Sequence, residues 1–82
     1  MKDEKPKYSI KTIINCSNIL DYFIKKGRPV TLTEVSENLN LYPSSVHRIL
    51  DTLNYLNYVN KLSDSENYQL GLKALELEGP NF

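Results

Sequence analysis

The stretch from Thr31 to Leu56 constrains the fold most. It holds two apolar stripes at helical spacing, and the connection between them is too short for anything but a tight turn. In "TLTEVSENL", Leu32, Val35 and Leu39 recur at intervals of three and four, so a short helix has one apolar face. Thr31 and Glu34 stand in capping-box spacing: Thr31 is placed to accept from the third helical amide and Glu34 to reach back. Asn40 tolerates the left-handed conformation that ends such a helix. Pro43 suits the first turn of the next helix, where its missing amide costs nothing. Val46, Ile49, Leu50, Leu53 and Leu56 then form a longer stripe, with Asn57 as a stop. Neither helix can bury its apolar face alone, so the two must pack into a common core.

The flanks complete the pattern. Upstream, "YSIKTIINCSNILDYFIKKGR" places Ile10, Ile13, Ile14, Cys16, Leu20, Phe23 and Ile24 on a helical face. Lys25 and Lys26 oppose the helix dipole at its end, and Gly27 stops it. Cys16 on this face is expected to act as a small buried hydrophobe rather than a reactive thiol. Residues 1–8, with the charged run "MKDEKPK", are expected to form a mobile tail. Downstream, "YVNKL" and "NYQLG" are strand-like runs separated by "SDSE", a hairpin with a projecting tip. "LKALELEG" has helical propensity and ends at Gly79–Pro80. The expected fold is therefore mainly α: three helices, a two-stranded β-hairpin and a fourth helix, the order of a winged helix-turn-helix. The domain is expected over residues 9–71, with a recognition helix near 43–57 and a wing near 58–70. Residues 72–82 would begin a linker helix.

At 82 residues the chain is one domain, which buries only roughly 60–65% of its unfolded surface. A deep catalytic pocket is hard to fit in so small a core. A single cysteine excludes an intrachain disulfide, and a reducing cytoplasm is the expected home. One Cys and one His do not make a zinc site without carboxylate help, and no cofactor is expected. No apolar run approaches the ~20 residues of a membrane span. Formal net charge is zero, but it is unevenly spread. Residues 1–28 carry seven Lys or Arg against three Asp or Glu, and residues 29–82 carry three against seven. A basic amino-terminal segment sits on an acidic body.

His47 and Arg48 admit four readings. Catalysis needs a nucleophile or a base held in a concave site, and nothing local supplies an oxyanion hole. Metal binding lacks partners. Burial is disfavoured because His47 lies off the apolar stripe. On an arbitrary helix the pair would be a solvated surface. Here it lies on the amino-terminal half of the helix that a winged helix-turn-helix order would place in a DNA groove, beside the small hydroxyls of Ser44 and Ser45 and the free amides of a helix start. Arg48 can fork onto a guanine edge or a phosphate oxygen.

"SSVHRIL" at Ser44–Leu50 and "YQLG" at Tyr68–Gly71, together with "TLTEVSENLNL", resemble the DNA-binding domain of the IclR family of bacterial transcription regulators. The family pattern has Ser-Thr-Val-His-Arg-Leu-Leu in the recognition helix and Tyr-Arg-Leu-Gly on the second wing strand. The resemblance spans about Thr12 to Leu77. It implies sequence-specific binding of double-stranded DNA by a homodimer. Ser44, Ser45, His47 and Arg48 would face DNA and Lys61 would sit on the wing; Thr33 and Pro43 complete the candidate DNA-binding set. It also implies a small-molecule effector held by a separate carboxyl-terminal domain. The chain stops at "GPNF", where the linker to that domain would begin, so an excised domain is expected rather than a short relative.

The family often carries a basic residue where Asn15 stands and a Lys near Pro43; both positions are uncharged here, and the wing carries Asp64 and Glu66. These predict weak DNA binding by the isolated domain, with Lys2, Lys5, Lys7 and Lys11 as a compensating arm. Asn15, Tyr42 and Asn67 could donate hydrogen bonds without charge. The first helix and the last, around Leu72, Leu75 and Leu77, are the candidate dimer surface. The rival reading is a winged-helix protein–protein interaction module without DNA binding, suited to a neutral surface with six tyrosines.

Overall fold

The computed structural model describes residues 7, 9–63 and 65–78, the side chains of 76–78 excepted. The elements run α1 (Lys11–Lys26), β1 (Val30–Thr31), α2 (Leu32–Leu39), α3 (Pro43–Tyr55), β2 (Val59–Lys61), β3 (Asn67–Leu70) and α4 (Leu72–Glu78). The expected helices and both wing strands are all present. The residues expected in the tail lie outside the described ones apart from Lys7, as do Asp64 at the wing tip and Gly79–Pro80.

The wing is not a free two-stranded hairpin. β1 pairs antiparallel with β3, giving a three-stranded sheet in the order β1-β3-β2, with Val30 opposite Tyr68 and Lys61 opposite Tyr68 from the other side. A two-residue strand carries no alternation, so periodicity could not reveal it. Its effect is to fasten the wing to the start of α2.

The core gathers Ile19, Phe23, Val30, Val35, Val46, Leu50, Val59 and Tyr68, with Ile49 and Leu53 nearly as buried. The α3 stripe is as expected apart from Leu56, which is 44% exposed. The α1 face is not. Ile19 and Phe23 are its buried residues, whereas Ile10, Ile13 and Ile24 are 60%, 63% and 54% exposed. Ile13 and Ile24 stand roughly a third of a turn around α1 from the buried pair, so the helix has a second apolar edge that its own core does not use.

Each helix of the trio ends in a left-handed residue: Gly27 at φ 63°, Asn40 at φ 55° and Asn57 at φ 70°. The turn between α2 and α3 is fastened twice by one residue. Buried Ser36 accepts from the Leu41 amide through its carbonyl at 3.0 Å and donates its hydroxyl to the Leu41 carbonyl at 2.6 Å. After α3, Tyr58 N–H donates to Leu53 O and Asn57 N–H to Asn54 O, the two bonds of a Schellman closure.

The capping box is half formed. Thr31 Oγ1 accepts from the Glu34 amide at 3.1 Å, as expected. The Glu34 carboxylate instead turns outward to Arg28 at 2.7 and 3.1 Å and to the Tyr22 hydroxyl at 2.7 Å, linking α1 to α2. A guanidinium offering two charge-assisted bonds outcompetes a single backbone amide.

Candidate nucleic-acid interface

α3 buries Val46, Ile49, Leu50 and Leu53. At 100° per residue, the row opposite them is Ser44, Arg48, Asp51 and Tyr55, and all four are exposed. Arg48, Asp51 and Tyr55, with Thr52, surround a shallow hollow of about 400 Å³. The Thr52 hydroxyl donates back to the Arg48 carbonyl at 2.9 Å, so it is occupied within the helix.

The amino end of α3 is open. Tyr42 enters in an extended conformation without a side-chain cap, and Pro43 has no N–H. The first-turn amides of Ser44 and Ser45 therefore lack intrahelical partners and project along the positive end of the helix dipole, an arrangement that favours an anion. Tyr42 itself is 80% exposed beside that end.

Among the residues singled out from the sequence, Pro43, Ser44, His47 and Arg48 are exposed on α3. Ser45 is half-buried and shares with Arg48 a groove of about 370 Å³ between α3 and Ile13 and Cys16 of α1. Lys61 is exposed on β2, and its amide donates to Asn54 Oδ1 of α3 at 3.2 Å. That bond sets the wing against the helix. Thr33 is exposed at the start of α2, and neither hollow at α3 includes it.

Asn54 and Ser36 hold the surface in place but were invisible in the sequence, because each acts through a backbone group that only the folded chain brings near. Gly71 carries a sequence signal whose reason is now plain. A Cβ there would lie 2.3 Å from the Asn57 carbonyl oxygen, while the Gly71 amide donates to Tyr58 O at 2.9 Å. Only glycine lets the end of β3 approach the end of α3 so closely.

Charge is divided across the surface. Among the described residues Arg48 has no carboxylate within ion-pair distance. The Tyr68 hydroxyl, at the seam of α3 and the wing, is pushed up in pKa first by burial and then by the Asp51 and Glu66 carboxylates. Both carboxylates thus lie near that hydroxyl, with Lys61 opposite Tyr68 on β2. Half-buried Cys16 packs against the core, and burial raises its thiol pKa, which disfavours the reactive thiolate. Lys7 and Lys11 are exposed; Lys2 and Lys5 lie outside the described residues. Among the described residues no His, Cys, Asp or Glu cluster could hold a metal ion, and no helix is long and apolar enough to cross a membrane.

Residues 13–63 match the IclR helix-turn-helix domain. The chain is 33% identical over 75 residues to the HTH-type transcriptional regulator KdgR of Escherichia coli, covering 92% of this chain and 28% of that protein. Its fold matches an IclR-family transcriptional regulator of Brucella abortus with a TM-score of 0.81 at 22% identity, covering 95% of this chain and 30% of the other. It matches a transcriptional regulator of Alicyclobacillus acidocaldarius with a TM-score of 0.77 at 28% identity, over 85% and 28%. The chain thus spans under a third of the length of the relatives it resembles.

Proposed function

The chain belongs to the IclR helix-turn-helix family, and from that premise we propose that it works as the DNA-binding domain of a transcription regulator, with α3 in the major groove. One observation carries this: the outward row of α3, with uncapped amides at its start, is a polar surface fixed to a rigid core. A helix of 13 residues is about 20 Å long, enough to lie in a groove ~12 Å wide and reach phosphates at both edges. The free amides of Ser44 and Ser45, Pro43 allowing close approach, anchor a phosphate. Arg48 and His47 face base edges or the adjacent backbone, and the half-buried Ser45 hydroxyl serves the α1 side. Lys61 meets the flanking phosphates from β2, and Thr33 contacts the backbone from α2.

The functional unit is a homodimer with recognition helices about 34 Å apart, or a multiple of it, on a near-palindromic site. In the cytoplasm an effector domain beyond α4 would set the state of the dimer, with residues 9–71 as the reading domain and α4 as the start of the linker. The relatives are named as regulators, not enzymes, and the chemistry of this surface is likewise that of recognition.

Selection of bound sequences from a random duplex pool at low salt tests the reading. A defined consensus is expected, and affinity should fall steeply as salt rises, the slope counting the phosphates met. Arg48→Ala should cost on the order of tenfold in affinity, either by relaxing one base position or by reducing the salt slope by ~1. Binding indifferent to salt, or none to any duplex, would overturn it and favour a protein partner.

A further inference from the structure

We propose that Asp51 is a specificity-determining residue: its carboxylate accepts a hydrogen bond from the N4 amino group of a cytosine in the major groove. The inference rests on the DNA-binding reading above. Four observations support it. Asp51 is exposed in the row of α3 opposite the buried stripe, so its side chain leaves the helix in the direction of Arg48 and Tyr55. It shares one shallow hollow with Arg48, Thr52 and Tyr55. Among the described residues no Lys, Arg or His lies within ion-pair distance of it, and no hydrogen bond holds it. It stands three residues after Arg48, on the same side of the helix, where side-chain origins are ~5–6 Å apart.

An unpaired carboxylate on a groove-facing surface is repelled by phosphate. Its one favourable contact with a duplex is a base edge that offers a donor. A carboxylate has no donor of its own, so it is limited to the amino groups of cytosine and adenine. Adenine sets its N7 acceptor beside the N6 amino group, and that lone pair repels a second acceptor. Cytosine offers its amino group beside a carbon-bound hydrogen, so cytosine is preferred. The neighbour completes the logic. Arg48 is donor-only and matches guanine O6 and N7, whereas Asp51 is acceptor-only and matches cytosine N4. Together they demand guanine and cytosine edges within one or two adjacent steps.

The test is sequence selection by the chain and by Asp51→Asn and Asp51→Ala, from one random duplex pool at low salt. Melting temperatures of all three proteins serve as the fold control. The parent should select cytosine at one position, with on the order of tenfold preference over the other bases. Asp51→Asn, whose amide suits adenine N6 and N7, should move the preference to adenine there. Asp51→Ala should lose the preference while the other positions stand. If both variants keep the parent consensus and merely bind every duplex more tightly, Asp51 only repels phosphate and the proposal fails. If the parent enriches a consensus without such a cytosine, the proposal fails while the DNA-binding reading stands. If the parent enriches no duplex at all, both fail.

Discussion

At the residue scale, two glycines show that the same residue type answers two different demands. Gly27 lies at φ 63° with open space where a Cβ would be, so its requirement is backbone conformation. Gly71 lies outside the left-handed region, and its requirement is space: a Cβ would meet the Asn57 carbonyl at 2.3 Å. The carbonyl is backbone, and it is held by the Lys73 amide at 3.2 Å, so it does not yield easily. Gly71→Ala should therefore destabilise the chain by about 1–3 kcal/mol, as overpacking of a tight contact does. Thermal denaturation should show a fall of roughly 4–8 °C per kcal/mol. Gly27→Ala should cost about 1 kcal/mol through strain alone. The glycine of "YQLG" was legible as a motif in the sequence. Its reason was not, because Asn57 is fourteen positions away and only folding brings it close.

At the element scale, the helices were legible from their stripes and stops, and the links between them were not. Thr31, Asn40, Pro43 and Asn57 act on their own neighbours, so their roles could be read locally. Glu34 could not, because its carboxylate goes to Arg28 and Tyr22 across α1 rather than back to the helix start. The Arg28 guanidinium, and then the Tyr22 hydroxyl, hold the Glu34 carboxyl at about 2, below the ordinary value of 4.5. A carboxyl depressed in the folded state stabilises the fold fully above its unfolded value and loses that contribution as pH falls through the folded one. The melting-temperature advantage of the parent over Glu34→Gln should thus be full at neutral pH. It should shrink as pH is lowered from 4.5 to about 2. The pair is exposed to solvent, so its advantage should also be modest and should diminish in high salt. A difference that is constant across this range would assign the effect of the substitution to packing instead.

At the scale of the whole molecule, several apolar groups stay outside the core. Ile10 just before α1, Ile13 on α1, and Leu72 and Leu75 on α4 are each more than half exposed, while α1 already fills its share of the core through Ile19 and Phe23. The side chain of Leu77 lies outside the described residues. Such groups suit the dimer proposed above, since burying a leucine contributes about 1.5–3 kcal/mol. Sedimentation equilibrium should show self-association of the chain. Leu72→Lys and Leu75→Lys should each weaken that association at least tenfold, an effect of ~1.4 kcal/mol, while leaving the melting temperature of the dilute monomer nearly unchanged. A monomer at every concentration would place the dimer contacts outside these helices.

The sequence by itself determined the helices of the trio, their stops, the helix-turn-helix connection and the outward placement of Pro43, Ser44, His47 and Arg48. These follow from period, capping and turn chemistry, which act over a few residues. Only the tertiary structure decided which edge of α1 is core, that β1 joins the wing, and that Ser36 and Asn54 brace α3 at its two ends. Those outcomes depend on pairings between segments far apart in the chain. A stripe of apolar residues states that a face will be buried, but packing against a particular neighbour selects which of its residues are taken in.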